Sequence, residues 1–388
     1  MKSLRISCQL FLYHTIYVKE GNKIADLIKA FKQVKDTKKA VVVHINTQKG
    51  KGYKLAEEHK EDWHYCAPFD VKTGKPLYSF EGEDFSSVTA DYLLKKMRED
   101  KKVVAITSAT PTVMGFTEDK RKEAGKQFID VGIAEETAMA MAAGIAAGGG
   151  KPVYGVYSTF VQRTYDQITQ DLCIDSNPAT IVTFWGSVYG MNDITHLGLQ
   201  DIPMMSNIPN LVYLAPTTKE EYLSMLDWGI EQTAHPVVIR IPSTVAHAEK
   251  ETEKTFERLN TYKVEQQGSN VALIAAGSFF ELGRRAAAKL AEQGITATLV
   301  NPRYLTGLDE NLLNSLKADH KIVATLEDGE LDGGFGEKIA RFYGDSNMKV
   351  LNFGAKKEFT DRVPVEELYK RYHLTPELIA ADILKAGN

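Results

Sequence analysis

Cysteine is scarce in this chain. The three present in 388 residues, Cys8, Cys66 and Cys173, lie far apart with no short paired spacing, which leaves neither a disulfide framework nor a zinc site to expect. A reducing, cytoplasmic setting is the expectation that follows. No apolar run approaches the ~18 residues that a membrane span needs. The opening MKSLRISCQLFLYHTIYV is interrupted at Gln9, Tyr13 and His14 without a small-residue cleavage site after it, so neither a membrane span nor a signal peptide is read. A charge excess is missing too: 47 basic residues face 51 acidic ones, a net charge of −4. Such a balance offers no basic field for nucleic acid or an anionic membrane, and small molecules remain the default partners. With 43% hydrophobic and 25% charged residues the composition is that of an ordinary folded protein, long enough for two or three domains.

Three blocks of alternating strands and helices emerge, the pattern of parallel sheets covered on both faces. The fold class expected is therefore α/β, with two parallel-sheet domains. In the first block Asn22 is expected to cap a helix whose apolar positions are Ile24, Leu27, Ile28, Phe31 and Val34, followed by a strand over 40–47. One helix and one strand are too little for a domain, so this block reads as the end of something larger. A breaker-rich stretch at 48–79 follows, with a linker near 70–80.

The second block, within 79–248, predicts helices at 86–99, 135–147, 160–173 and 218–232. Its predicted strands are 103–107, 127–130, 153–157, 180–185, 211–214 and 236–241. The charged stretch AHAEKETEKTFE (246–257) reads as a connection whose polarity gives a core nothing to bury. The third block, 260–388, predicts strands at 271–276, 296–300, 321–327 and 349–353 with helices between them and two more closing the chain.

The sharpest local signal is DVGIAEETAMAMAAGIAAGGGKP (130–152), where a strand end delivers Glu135 to the first turn of an Ala/Gly-rich helix. A carboxylate there is accounted for by the helix dipole alone. The neighbouring turn Tyr157-Ser158-Thr159-Phe160, followed by Arg163, is a second strand end of the kind where open α/β sheets hold ligands, and the two together read as a site.

The segments IAEE and YSTFVQRTYDQ closely resemble the pyrimidine-binding domain of the 1-deoxy-D-xylulose-5-phosphate synthases of the transketolase superfamily. KGKGY (49–53), WHYCAPFD (63–70), THLG (195–198), IRIP (239–242) and LEDGELDGGFG (326–336) extend the resemblance over nearly all of 22–388. It implies a remnant of the diphosphate-binding domain with its linker over 1–78, a pyrimidine-binding domain over 79–248 and a transketolase C-terminal domain over 260–388. The cofactor implied is thiamine diphosphate with Mg2+. The function implied is decarboxylation of pyruvate and transfer of the two-carbon unit to an aldose phosphate.

Residue by residue, Glu135 matches the carboxylate at N1′ of the aminopyrimidine. Proton sharing there lets the cofactor become a carbon nucleophile. Phe160 matches the aromatic stacked on the pyrimidine, and Tyr53 a tyrosine that touches the cofactor. His64 and His196 match histidines that move protons at the reacting carbon. Tyr157, Asn192, Arg163 and Arg240 match substrate-binding positions, the guanidinium forks suiting carboxylate or phosphate. A structural role remains open for each: a core aromatic for Phe160, satisfied histidines, and surface ion pairs for the arginines.

Two departures stand out. The superfamily holds its metal and diphosphate on Gly-Asp-Gly with a later Asn, and no Gly-Asp-Gly occurs in this chain, so no metal ligand is assigned. Isolated, the chain is expected to be inactive, and either a homodimer or a separate chain supplying the diphosphate domain is the partner expected. A start inside a domain fits a shortened reading frame better than a natural split, and strand 40–47 would leave an open sheet edge. The second departure is Trp185, which stands where the family carries an arginine for the acceptor's phosphate; Asn192 and Asp193 are shifted likewise, and Thr137 stands where the family often has histidine. A β-type subunit of a 2-oxo-acid dehydrogenase and a non-catalytic fragment remain the competing readings.

Overall fold

A computed structural model describes residues 14–77, 82–188, 193–241, 244–249 and 251–387. The chain divides into two compact units, 1–82 and 83–388, and each is described by itself.

In the first unit β1 (His14–Val18) and β2 (Val41–Ile45) pair in parallel, His14 opposite Val41 and Val18 opposite Ile45. The helix Ile24–Val34 connects them. A second strand therefore joins the one expected, although HTIYV carries no alternation that sets it apart. Asn22 does not cap the helix. Lys23 occupies the capping position without a side-chain bond, while Asn22 Nδ2 donates to Gln48 O at 3.1 Å and Asn22 Oδ1 accepts from Gln48 N at 2.7 Å. The side chain thus pins the chain leaving β2 to the start of the helix. Parallel strands are ordinarily buried on both faces, yet every residue of β2 is only half-buried. Ile24, Ile28 and Phe31, one turn apart on the helix, are exposed.

The second unit contains two sheets. One has six parallel strands in the order β4-β3-β5-β6-β8-β7. They are β3 (Val103–Thr107), β4 (Phe128–Asp130), β5 (Lys151–Tyr157), β6 (Thr180–Phe184), β7 (Val212–Leu214) and β8 (Val237–Arg240). The other is ordered β13-β12-β10-β11-β9: β9 (Lys263–Gln266), β10 (Asn270–Ala275), β11 (Thr298–Asn301), β12 (His320–Glu330) and β13 (Lys349–Ala355). Here β9 runs antiparallel to β11, an edge strand absent from the sequence reading because KVEQ is mostly polar and exposed.

Buried residues from both sheets, among them Ile106, Tyr154, Tyr213, Ala272, Val300 and Phe335, form one continuous core. The predicted helix at 160–173 is helical but irregular: a 3₁₀ turn, Val161–Thr164, a short α-helical stretch, Tyr165–Gln167, and π-helical winding over Ile168–Ile174. The charged connection also departs from expectation. Phe256 is buried against Trp228, with ring centroids 5.9 Å apart, and its carbonyl accepts from Tyr304 OH at 3.0 Å. One aromatic thus anchors a segment whose charges stay outside. No helix among the described residues is long and apolar enough to cross a membrane.

Candidate functional site

Parallel strands open their loops at their carboxyl ends, where side chains from neighbouring strands converge. The run after β4 brings Glu135 to the first position of the helix Glu135–Ala147. Its side chain is only 4% exposed, and Oε2 accepts from Arg163 Nη1 at 3.2 Å; the Arg163 side chain is 54% exposed. The carboxylate thus lies inside with one partner, and that partner reaches solvent. Asp130, at the end of β4, accepts from the amides of Ala109 and Gly132 at 2.9 Å each through Oδ1 and so ties two site loops together.

Tyr157 closes β5, directly opposite Phe184 of β6. A tight turn follows: Phe160 N donates to Tyr157 O at 2.9 Å, and Arg163 N to Phe160 O at 3.1 Å. This puts the Phe160 ring 5.1 Å from Tyr157 and 5.3 Å from His196, with His196 6.0 Å from Tyr157. Two rings of one turn, Tyr157 and Phe160, thus meet a third, His196, from a distant loop. His196 Nδ1 lies 2.9 Å from Thr195 Oγ1 and 3.6 Å from Asp193 Oδ1. Hydrogen bonds from the Thr195 hydroxyl and amide hold the Asp193 carboxyl below the usual carboxylate range.

The loop 193–198 folds back over the end of β6. A Cβ on Gly198 would fall 2.3 Å from Trp185 O and 3.1 Å from Ser158 Oγ, so only glycine permits this approach. The Ser158 hydroxyl is buried without a hydrogen-bond partner among the described residues. An unsatisfied buried hydroxyl costs about 1–3 kcal/mol and is the kind of atom a ligand satisfies.

Arg240 is not the surface ion pair that a structural role was expected to give. It is buried, with Nε donating to Asp201 Oδ2 at 2.7 Å and Nη2 to Asp201 Oδ1 at 3.2 Å, Gly198 O at 3.2 Å and Asp328 O at 2.7 Å. Tyr213 OH donates to the same Asp201 oxygen at 2.7 Å. Asp328, from β12, accepts from Ser187 Oγ at 2.5 Å, from Val188 N at 2.7 Å and from Ser278 Oγ. Burial pushes the Asp328 carboxyl up, against the Arg240 charge and these hydrogen bonds.

Sequence reasoning missed Asp201, Ser187, Ser278 and Asp328. Asp328 stands in LEDGELDGGFG, and its acidic density was the one available signal. Asn192 lies outside the described residues, as does Pro242 of IRIP.

Tyr53 and His64 belong to the first unit. Tyr53 OH donates to Val71 O at 3.1 Å, and its ring packs edge-on to Trp63 at 5.0 Å. Exposed His64 lines a cavity of about 380 Å³ together with Lys49, Lys60 and Trp63.

The aminopyrimidine of thiamine diphosphate fits what the second unit offers: a flat aromatic wall, a buried carboxylate with a displaceable partner, and an unsatisfied hydroxyl. Its diphosphate does not, because no group of three or more His, Cys, Asp or Glu among the described residues can hold a metal ion.

The family model "Transketolase, pyrimidine binding domain" matches residues 83–246 and "Transketolase, C-terminal domain" matches 260–379. A 1-deoxy-D-xylulose-5-phosphate synthase of Clostridium tetani is 35% identical over 368 residues, covering 94% of this chain and 59% of the relative. One from Gloeothece citriformis is 36% identical over 373 residues, covering 95% and 59%. The chain thus spans about 59% of the length of these curated relatives.

Among solved structures, a "Split gene transketolase, inactive beta4 tetramer" aligns with TM-score 0.67 and 22% identity, over 79% of this chain and 98% of that one. The transketolase of Pichia stipitis in complex with sedoheptulose 7-phosphate aligns with TM-score 0.64 and 17% identity, over 97% and 67%. Both structures speak to the fold alone. The two matched domains and the identity to the curated relatives agree, and the chain belongs to the transketolase superfamily, among its 1-deoxy-D-xylulose-5-phosphate synthase-like members.

Proposed function

We propose that this chain carries the pyrimidine-side half of a thiamine-diphosphate-dependent transferase that takes a two-carbon unit from pyruvate and passes it to an aldehyde. The observation that carries the reading is the buried Glu135 carboxylate, which among the described residues bonds the half-exposed Arg163, itself one turn along the chain from Phe160. Thiamine diphosphate supplies a carbon nucleophile and an electron sink when bound.

Every other role falls to residues of the chain. Glu135 shares a proton with the N1′ position, and its burial keeps that bond strong. Phe160 offers the face on which the aminopyrimidine lies. His196, held by Thr195, exchanges protons with the reacting carbonyl oxygen, a task suited to imidazole near neutral pH, and His64 is assigned the same work from the first unit. Arg163, released from Glu135, meets the carboxylate of pyruvate, with Tyr157 and Asn192 lining the substrate. Arg240 acts as a positioning group through Asp201 and Gly198 rather than by touching substrate. Mg2+ and the diphosphate require ligands from beyond the described residues.

The first unit, 1–78 with its linker, is read as the end of a diphosphate-binding domain. The domains at 79–248 and 260–388 are read as the pyrimidine-binding and C-terminal domains. The half-buried β2 and the exposed Ile24, Ile28 and Phe31 support a partner that adds strands to this sheet, either a separate chain or a second copy. The small cysteine count supports a cytoplasmic setting.

Calorimetry tests the reading. Thiamine diphosphate with Mg2+ should bind the chain only when a diphosphate-domain polypeptide is added, and Glu135→Ala should remove both binding and pyruvate decarboxylation. Unchanged turnover in the Glu135→Ala protein would overturn it.

A further inference from the structure

A second cavity lies where the carboxyl ends of β7 and β11 come together. Their main chains join there: Ala215 N donates to Arg303 O and Leu305 N to Tyr213 O, both at 2.8 Å. Beside this seam is a space of about 430 Å³, bounded by the start of the helix Lys219–Glu231, the linker over 246–253, β9 and β11. None of Glu135, Phe160, Arg163 and His196 lines it. Open α/β sheets hold ligands at the carboxyl ends of their strands, and here the ends of two sheets face one space.

The chemistry of the cavity is set by a buried cation. Arg303 follows β11 with a φ of +60°, a strained conformation for a long side chain and one that recurs at ligand clamps. Its side chain is 4% exposed. Nε and Nη2 donate to Thr261 O at 3.2 and 2.6 Å, and Nη1 donates to Glu253 Oε2 at 2.5 Å. Among the described residues each Nη thus keeps an N–H outside these bonds. The carboxylate partner, Glu253, is 55% exposed on the linker. The pair is the charge-reversed counterpart of Glu135 and Arg163, a buried ion answered by a partner that stands in water.

The other charges of the cavity are committed. Glu221 is buried, and its Oε2 accepts from Thr217 N at 2.8 Å and Thr217 Oγ1 at 2.9 Å, while Asn301 Nδ2 reaches both of its oxygens at 3.1 and 3.2 Å. At the rim Glu281 holds Arg284 at 2.7 and 2.8 Å, and Lys263 lies 2.6 Å from Glu265. Recognition therefore falls to Arg303 and Glu253. An anion alone would take Arg303 and strand the Glu253 carboxylate beside it. A cation alone would take Glu253 and leave a desolvated guanidinium short of its counter-charge, which is costly. A molecule with both charges on one carbon answers both groups at once.

We propose that this cavity binds a free α-amino acid, its carboxylate on the spare N–H groups of Arg303 and its ammonium on Glu253. A guanidinium fork matches a carboxylate in two parallel bonds, and the displaced Glu253 is already at hand for the ammonium. The inference is independent of the transferase reading, since no residue assigned to that chemistry lines this space.

The test uses the full chain and the common L-α-amino acids, offered one at a time. At least one should raise the melting temperature as its concentration rises and give a saturable saturation-transfer NMR signal. Its N-acetyl form and its methyl ester each lack one of the two charges, and each should bind about tenfold more weakly or worse, the effect of one charge-assisted hydrogen bond. Glu253→Gln keeps an acceptor for Arg303 at an exposed position, so it should fold, and in it the free and N-acetylated forms should bind alike.

No saturable binding of any amino acid, or an N-acetyl form held as tightly as the free one by the unmodified protein, would overturn the proposal. Full discrimination retained in Glu253→Gln would overturn it as well. Cofactor binding that still depends on Glu135 would then show that only this inference had failed.

Discussion

At the scale of single residues, two buried acids, Glu135 and Glu327, are held in contrasting ways. Glu135 takes its one partner from a side chain that reaches water, so replacing it with alanine leaves Arg163 free to solvate. Only the Arg163 end of the pair is exposed, at 54% against 4% for Glu135, so removing the buried acid leaves no buried charge behind. We therefore expect Glu135→Ala to leave the circular dichroism spectrum and melting profile nearly unchanged while cofactor binding is lost. A collapse of the fold would mean that the carboxylate is structural.

Glu327 is the contrasting case. Its oxygens accept from Phe335 N and Gly336 N, both at 2.7 Å, and burial pushes its carboxyl up from an ordinary 4.5 to about 7 against those bonds. A raised carboxyl stabilises the fold in its protonated form, fully below pH 4.5, and that contribution fades as pH rises through about 7. The size is on the order of 3 kcal/mol. Unfolding free energies measured by urea between pH 4.5 and 7 should fall with pH, and Glu327→Gln should flatten that slope.

At the scale of elements, what was legible in the sequence follows from how local each signal is. The helix Glu135–Ala147 and the strand Val103–Thr107 match their predicted limits, since alanine run and apolar run are each complete within the segment. β1 and β9 were not read, because HTIYV and KVEQ acquire their conformation from the strands beside them. The winding over Ile168–Ile174 follows a tight turn at Tyr157–Phe160 that no periodicity encodes.

The stripe Ile24, Ile28 and Phe31 was read correctly as apolar, but sequence could not tell that it stands exposed among the described residues. Such a face on a two-stranded sheet predicts self-association. Light scattering should show assemblies whose size falls when Ile28 and Phe31 are both changed to lysine; an unchanged size would assign association elsewhere.

Arg240 shows the limit of the sequence for the site. Its type and position at the end of β8 were visible, yet Asp201 is 39 residues away and Asp328 is 88. Only the folded chain reveals that its charge is already answered. Removing one member of a buried pair costs about 3–5 kcal/mol because the other stays charged and unpaired. Asp201→Asn should lower the urea midpoint by a corresponding amount, whereas a change within error would mean that water reaches Arg240.

At the scale of the whole molecule, the units 1–82 and 83–388 are each compact, and the larger holds both sheets on one core. A protein beginning at Glu83 should therefore melt at the temperature of the full chain's main transition. A drop of more than a few degrees would show that the first unit supports the second.

Within the larger unit, Asp328 of β12 reaches across to Ser187, Val188 and, through its carbonyl, Arg240. The terminal sheet is thereby wired into the loop that follows β6. Exchanging that sheet for the equivalent one of a relative would disturb the geometry of the mouth even with every residue of the mouth kept, so chimeras joined near residue 255 should inherit their substrate preference from both parents.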